Sequence, residues 1–339
     1  MHHYIILANP GHNRIYLDAS LKISVFELMA LSMKFDLGIY NISEPEGPLP
    51  AALQFSTEKE LNDEEMKILG QSSIFYALFK QEGDLLRPME VPDFQVFPES
   101  MVQILKYNGK TNEQFTRLLV NLAMSICDTH SEKKTLLDPV AGKGTTLYEA
   151  LIRGFDVKGI EINEKWTHEC SSFLQRFMQE GRYKHNSKKG TFNDEKGRKI
   201  ASVFNLECSA DAENYKKGEK QSLQVFTADT RISNTLVKNR SCDMLVADLP
   251  YGVQHGSRTD KNSRHPLELI REALPAWDAL LKTKASMALA YNEFTIRRAE
   301  LALALHEAGF TVLNNAPYND FLHRVDQSIN RNVIVAKKI

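Results

Sequence analysis

The sequence predicts an α/β protein with a Rossmann-like parallel sheet, preceded by a small α+β unit, and three stretches carry that prediction. Residues 135–163 read as a strand, a glycine turn, a helix and a second strand. Residues 241–253 read as a buried strand that ends in a proline turn. Residues 1–83 read as β-α-β-β-α-β, the order of a ferredoxin-like domain.

At 339 residues the chain is long enough for two domains, placed at 1–83 and 101–339 with a linker at 84–100. Its 42% apolar and 25% charged residues suit a globular chain with a sizeable core. Forty-two basic side chains face 43 acidic ones, so a nucleic-acid surface would have to be local rather than global. Cys127, Cys170, Cys208 and Cys242 lie far apart without C-x-x-C spacing. That argues against a zinc site or a disulfide framework and for buried thiols in a reducing cytoplasm. No metal is expected. No signal peptide or apolar run of membrane length is visible, so no membrane partner is expected either. Monomer and homodimer are equally compatible with the sequence.

In order, Tyr4–Leu7 is a first strand, and Asp18–Ser32 repeats Leu21, Val25, Leu28 and Leu31 at helical spacing. Short strands follow at 39–42 and 53–55, separated by the proline-rich EPEGPLP. Asn62 begins a helix with an acidic first turn, and Phe75–Phe79 closes the set. Pro88, Pro92 and Pro98 mark the linker.

The central stretch is TLLDPVAGKGTTLYEALIRGFDVKGIEIN, residues 135–163. Gly142 and Gly144 let backbone approach a ligand in front of a helix N-terminus. Glu161, ending the second strand, offers a carboxylate to two ribose hydroxyls. A Walker phosphate loop needs Gly-Lys followed by Ser or Thr, but Gly142-Lys143 is followed by Gly144, which disfavours ATP. The dinucleotide pattern G-x-G-x-x-G is met in part, because position 147 is Leu. S-adenosylmethionine sites use an acidic or proline residue before G-x-G and an acidic residue after the next strand. Asp138, Pro139, Ala141, Gly142, Gly144, Thr145, Thr146, Glu161 and Ile162 fit that pattern as cofactor contacts. A glycine turn that serves packing alone is the simpler alternative.

The second anchor, SCDMLVADLPYGV, ends in Asp248-Leu249-Pro250-Tyr251-Gly252. Here the chain resembles the amino-methyltransferases that carry [N/D/S]-P-P-[Y/F/W] after the fourth strand. More narrowly, it resembles the RNA guanine-N2 methyltransferases of the THUMP-associated, UPF0020-like family, over roughly residues 100–339. Leu249 departs from D-P-P-Y, but the family uses the backbone carbonyl at that place, which Leu also supplies. A THUMP domain itself would need about a hundred further residues and is not apparent.

The chemistry accounts for these residue types. An exocyclic base amine is a weak nucleophile because its lone pair is delocalised into the ring. Asp248 and the Leu249 carbonyl can accept its two N–H hydrogens and favour a pyramidal nitrogen, at roughly 1.5–3 kcal/mol for each charge-assisted bond. Pro250 stiffens the turn, and the Tyr251 ring offers a stacking face to an extruded base. A plain Asp-x-Pro-Tyr turn after a strand is the bland reading.

The resemblance implies more. Residues 106–128 would cover the methionine end of the cofactor, with the turn Lys110-Thr111-Asn112 as the contact and Asn112 as the cofactor-binding residue. Asp229, ending the third strand, would accept the adenine amino group, with Thr230 beside it. The family sheet has seven strands, the last inserted antiparallel, and the strands read here agree: 225–229, 241–248, 285–291, 311–314 and 332–336 follow the two of the central stretch. Helices are expected at about 162–179, 267–281 and 294–308.

Residues 182–222 read as an insertion, and 182–199 hold seven Lys or Arg against Asp194 and Glu195. Lys188 and Lys189 are substrate-binding candidates there, unless the stretch is a solvated loop. Gly252–His265 is polar and basic, with Gly252 a substrate contact and Arg258 a phosphate contact. His323 and Arg324, in the turn between the closing strands, read as surface residues, with a place facing substrate as the alternative. The expected activity is methyl transfer from S-adenosylmethionine to an exocyclic amine of tRNA or rRNA, guanine N2 favoured. Adenine N6 of DNA or RNA, a protein glutamine amide, and a non-catalytic RNA-binding role stay open.

Overall fold

The computed structural model describes residues 1–10, 14–103, 111–251 and 266–339. The first unit comprises β1 (His2–Ala8), α1 (Arg14–Phe35), β2 (Tyr40–Ser43), β3 (Ala52–Thr57), α2 (Asp63–Leu69), β4 (Phe75–Glu82) and β5 (Leu85–Pro88). They form an antiparallel sheet in the order β2-β3-β1-β4-β5. The expected β-α-β-β-α-β order is present with one strand more. Residues 85–88, read as linker, pair with β4 instead, with Phe79 opposite Pro88. A proline is tolerated there because β5 lies at the sheet edge. Asn62 caps α2 in a reciprocal box with Glu65.

Helix α1 has two apolar faces. Leu21 and Leu28 join the core of the first sheet, while Ile23 and Ala30 are buried in the core of the second unit. The stripe visible in the sequence is only the first of these.

The second unit begins with α3 (Ser100–Gln103), α4 (Glu113–Ile126), β6 (Thr135–Asp138), α5 (Thr145–Ile152), β7 (Asp156–Glu161) and α6 (Glu164–Glu180). Then come β8 (Lys184–Asn193), β9 (Lys199–Ser209), α7 (Ala212–Lys217), β10 (Gln221–Thr227), a 3-10 turn (Thr230–Ile232), α8 (Ser233–Leu236) and β11 (Cys242–Asp248). The chain closes with α9 (Pro266–Leu280), β12 (Leu281–Asn292), α10 (Arg298–Glu307), β13 (Phe310–Val312), β14 (His323–Arg324) and β15 (Asn330–Lys338).

The second sheet runs β13-β15-β12-β11-β6-β7-β10-β9-β8, with β14 paired to β15, so ten strands are described where seven were expected. The extra strands are β14 and the hairpin β8–β9, which extends the β10 edge in place of a solvated loop. Strands β10, β7, β6, β11 and β12 are mutually parallel, and β15 lies antiparallel between β12 and β13. Their near-continuous apolar runs are buried by helices on both faces. The carboxyl ends of the parallel strands, at Asp138, Glu161, Thr227, Asp248 and Asn292, therefore share one edge. Chain order reverses between β6 and β11 on that edge, the place where open α/β sheets hold ligands. No helix among the described residues is long and apolar enough to cross a membrane.

Candidate active site

The turn after β6 is a tight cradle closed by its own amides: Val140 N–H donates to Asp138 Oδ1, Ala141 N–H to Ile160 O and Gly144 N–H to Ala141 O. Gly144 takes φ 93°, and a Cβ there would stand 2.8 Å from the Cys170 sulfur, so both conformation and space require glycine. Gly142 has φ 53° and open space where its Cβ would be, so its backbone faces outward. Its N–H donates to Glu161 Oε2 at 2.9 Å, and Asn163 N–H donates to Oε1 at 2.7 Å. Glu161 is therefore held at the mouth of the turn, with acceptor lone pairs beyond those two bonds. Lys143 ion-pairs with Glu169 at 2.5 Å, away from any phosphate role.

Asp138 is buried at the end of β6, with Pro139, Ala141, Thr145 and Thr146 buried around it. Its Oδ1 accepts Val140 N–H at 3.0 Å, and the Thr146 side chain bonds it as well. Burial nevertheless pushes its carboxyl up to about 7, and the nearby charges of Glu161 and Asp248 add to the rise. Three carboxylates from three strand ends thus crowd one place, which suits a cationic ligand such as a sulfonium. Ile162, 70% exposed beside Glu161, offers an apolar surface at the rim.

The third strand's end agrees less fully with expectation. Asp229 follows β10, whose end is tied to β7 by Ala228 N–H to Glu161 O at 3.0 Å. However, both Asp229 oxygens are engaged by the Arg231 guanidinium, which also reaches Glu272 at 2.7 Å. Thr230 faces the core, where its hydroxyl accepts the Trp277 indole N–H at 2.8 Å, rather than a ligand. Asn112 caps α4 through Gln114 and Phe115 N–H. Its side chain is structural in this arrangement, and its neighbour Thr111 is the one that reaches the site.

Asp248 ends β11 with both oxygens hydrogen-bonded. Thr111 Oγ1 donates to Oδ2 at 2.5 Å, and the Tyr251 hydroxyl donates to Oδ1 at 2.5 Å. Leu249 N–H bonds Ala290 O at 2.9 Å, which fixes the start of the turn, and Pro250 is exposed. Tyr251 in turn accepts Arg331 Nε–H at 2.6 Å. The Arg331 guanidinium lies 4.3 Å from the Phe115 ring centre and 5.5 Å from that of Tyr251. Sequence reasoning missed Arg331, which lies 80 residues from Tyr251 on β15. It also misplaced His323, which is 7% exposed, with its ring 5.4 Å from Phe115 and its titration pushed down to about 4 by burial. Arg324 is exposed as expected, with its guanidinium over the Phe294 ring.

Lys188 and Lys189 are both exposed on β8 but project to opposite sheet faces, as adjacent strand residues must. Gly252, Arg258 and Lys110 lie outside the described residues. Among the described residues, no group of three His, Cys, Asp or Glu could hold a metal.

No curated protein matches the chain. Among solved structures, a Pyrococcus horikoshii protein, PH1948, proposed to be an RNA methyltransferase, is 17% identical, with 72% of this chain and 90% of that one covered and a TM-score of 0.39. A SAM-dependent methyltransferase of Aquifex aeolicus is 13% identical over 72% and 100%, with a TM-score of 0.37. An rRNA methylase of Streptococcus thermophilus is 11% identical over 69% and 99%, with a TM-score of 0.34. Likenesses this slight settle nothing about chemistry. The family model for the RMKL-like methyltransferase domain, UPF0020, matches residues 105–319, more than half of the chain and all of the strand ends described above. The chain belongs to that methyltransferase family.

Proposed function

We propose that the protein transfers a methyl group from S-adenosylmethionine to an exocyclic base amine of RNA, guanine N2 in tRNA or rRNA. One observation carries the reading: Asp248 stands at the same strand edge as the Gly142–Glu161 cradle, oriented by Thr111 and Tyr251. When bound, S-adenosylmethionine supplies a methyl carbon made electrophilic by the sulfonium. Glu161 would accept from the ribose hydroxyls at the nucleoside end, with the exposed Ile162 side chain at the rim beside it. Asp248 and the Leu249 carbonyl accept the two amine hydrogens, so the nitrogen lone pair points away from them and the proton shed on N-methylation has an acceptor. Holding the two reacting atoms in line supplies much of the remaining acceleration. The four cysteines are buried free thiols, which supports a place in the cytoplasm.

The test has two parts. Nucleosides from a strain lacking the gene should lose N2-methylguanosine by mass spectrometry; loss of N6-methyladenosine instead would reassign the base. Asp248→Ala should bind both ligands yet show kcat lowered by roughly 100-fold, the scale of losing one well-placed polar group. Single-turnover methylation at the parent rate would refute the catalytic role of Asp248.

A further inference from the structure

We infer that Arg331 is a positioning residue for methyl transfer, acting through Tyr251 on Asp248; the inference rests on the function proposed above. An arginine side chain has five N–H donors and no acceptor. Its Nε–H, 2.6 Å from the Tyr251 oxygen, therefore occupies a lone pair of the phenol. The single phenolic proton is then directed to the other partner, Asp248 Oδ1, at 2.5 Å. Thr111 Oγ1 donates to Oδ2 at 2.5 Å, and the carboxylate is clamped from both sides. Rotation about its last bond is arrested, and the lone pairs left over keep one direction relative to the turn.

Arg331 is itself closely confined. It is 6% exposed, projects from the strand that lies antiparallel beside β12, and is bracketed by the Phe115 and Tyr251 rings. The orientation of Asp248 is thus set through Tyr251 by a residue on β15, two strands along the sheet from β11. The same chain gives Tyr251 a role besides stacking. Its hydroxyl is committed to Asp248, so the ring is held in one plane when a base arrives.

The test is a double-mutant cycle on kcat with Tyr251→Phe and Arg331→Met, joined to an NMR measurement that does not depend on activity. Each single variant should lower kcat by roughly 10-fold or more and leave the dissociation constant of S-adenosylmethionine unchanged. The double variant should be no slower than Tyr251→Phe alone, because both changes break one chain. Arg331→Lys keeps a donor and should recover part of the loss. With 13Cζ-labelled tyrosine, the resonance that disappears in Tyr251→Phe should shift in Arg331→Met while others stay in place. Multiplicative losses, an unshifted Tyr251 resonance, or a loss expressed only in cofactor affinity would overturn the inference. If the parent protein methylates no RNA while the resonance shifts, the proposed function fails, and with it the positioning role, although the contact itself stands.

Discussion

Asp138 is the residue whose protonation reports most directly on the site. It titrates near 3.8 in an unfolded chain and at about 7 in the folded one, chiefly because burial penalises its charge. A raised folded value means the stability it contributes is fully present below pH 4 and is lost as pH rises towards 7. A cationic ligand beside it favours the carboxylate, so binding should release a proton. The affinity of S-adenosylmethionine is expected to rise as pH passes through about 7, and Asp138→Asn should flatten that dependence. Calorimetry in buffers of different ionisation enthalpy reads the released proton; equal proton release from parent and variant would assign it to another group. Asp138, Glu161 and Asp248 were legible in the sequence because each ends an apolar run beside glycine or proline. Arg331 was not picked out, Thr111 entered only as part of the turn Lys110-Thr111-Asn112, and His323 reads first as a surface residue, because what places them is contact with segments far away in the chain. No local pattern encodes the meeting of β15 with the turn after β11.

Among the elements, the five parallel strands were legible for a simple reason: a strand buried on both faces is apolar without interruption. Strand β8 was not, since an exposed edge strand with lysines and asparagines has neither alternation nor a run to mark it. Lysines on such an edge also discourage pairing with another chain, which gives the hairpin's charge a purely structural explanation. Register separates the two explanations. Thr191 and Ser202 lie level with Thr227, so the hairpin tip with Lys196 and Lys199 sits at the catalytic edge of the sheet. Lys188 faces the opposite way from Lys189, toward a cavity of about 410 Å³ lined by Asn186, Asn205 and Gln224. One RNA backbone crossing the catalytic edge would meet the tip rather than both central lysines. Replacing Lys196 and Lys199 by Gln should weaken RNA binding and reduce the slope of log affinity against log salt by about 1.4, at roughly 0.7 per single-strand phosphate contact. A slope unchanged in a filter-binding titration would leave the hairpin as edge protection.

At the scale of the molecule, the two sheets are joined by buried polar groups as well as by the apolar faces of α1. Glu27 of α1, fully buried, accepts Ser73 N–H at 2.9 Å, the Ser73 hydroxyl at 2.5 Å and the Asn121 amide of α4 at 2.5 Å. Asn121 in turn accepts from Arg153 at 2.7 Å, and Arg153 pairs with Glu149 of α5 at 3.0 Å. A second branch leads from Glu149 through Arg117 to Glu99. Charges this deeply buried are tolerable only while every partner stays in place, because breaking one contact leaves another polar group dry. The first unit is therefore expected to unfold with the second. Glu27→Ala strands the Ser73 N–H and one N–H of the Asn121 amide, which keeps its bond to Gln71 O, each at about 1–3 kcal/mol, so stability should fall by about 3 kcal/mol. Differential scanning calorimetry should show one transition in both parent and variant, displaced to lower temperature in the variant. Two separate transitions, with only one of them moved by Glu27→Ala, would show that the sheets fold independently and that the network contributes to only one of them.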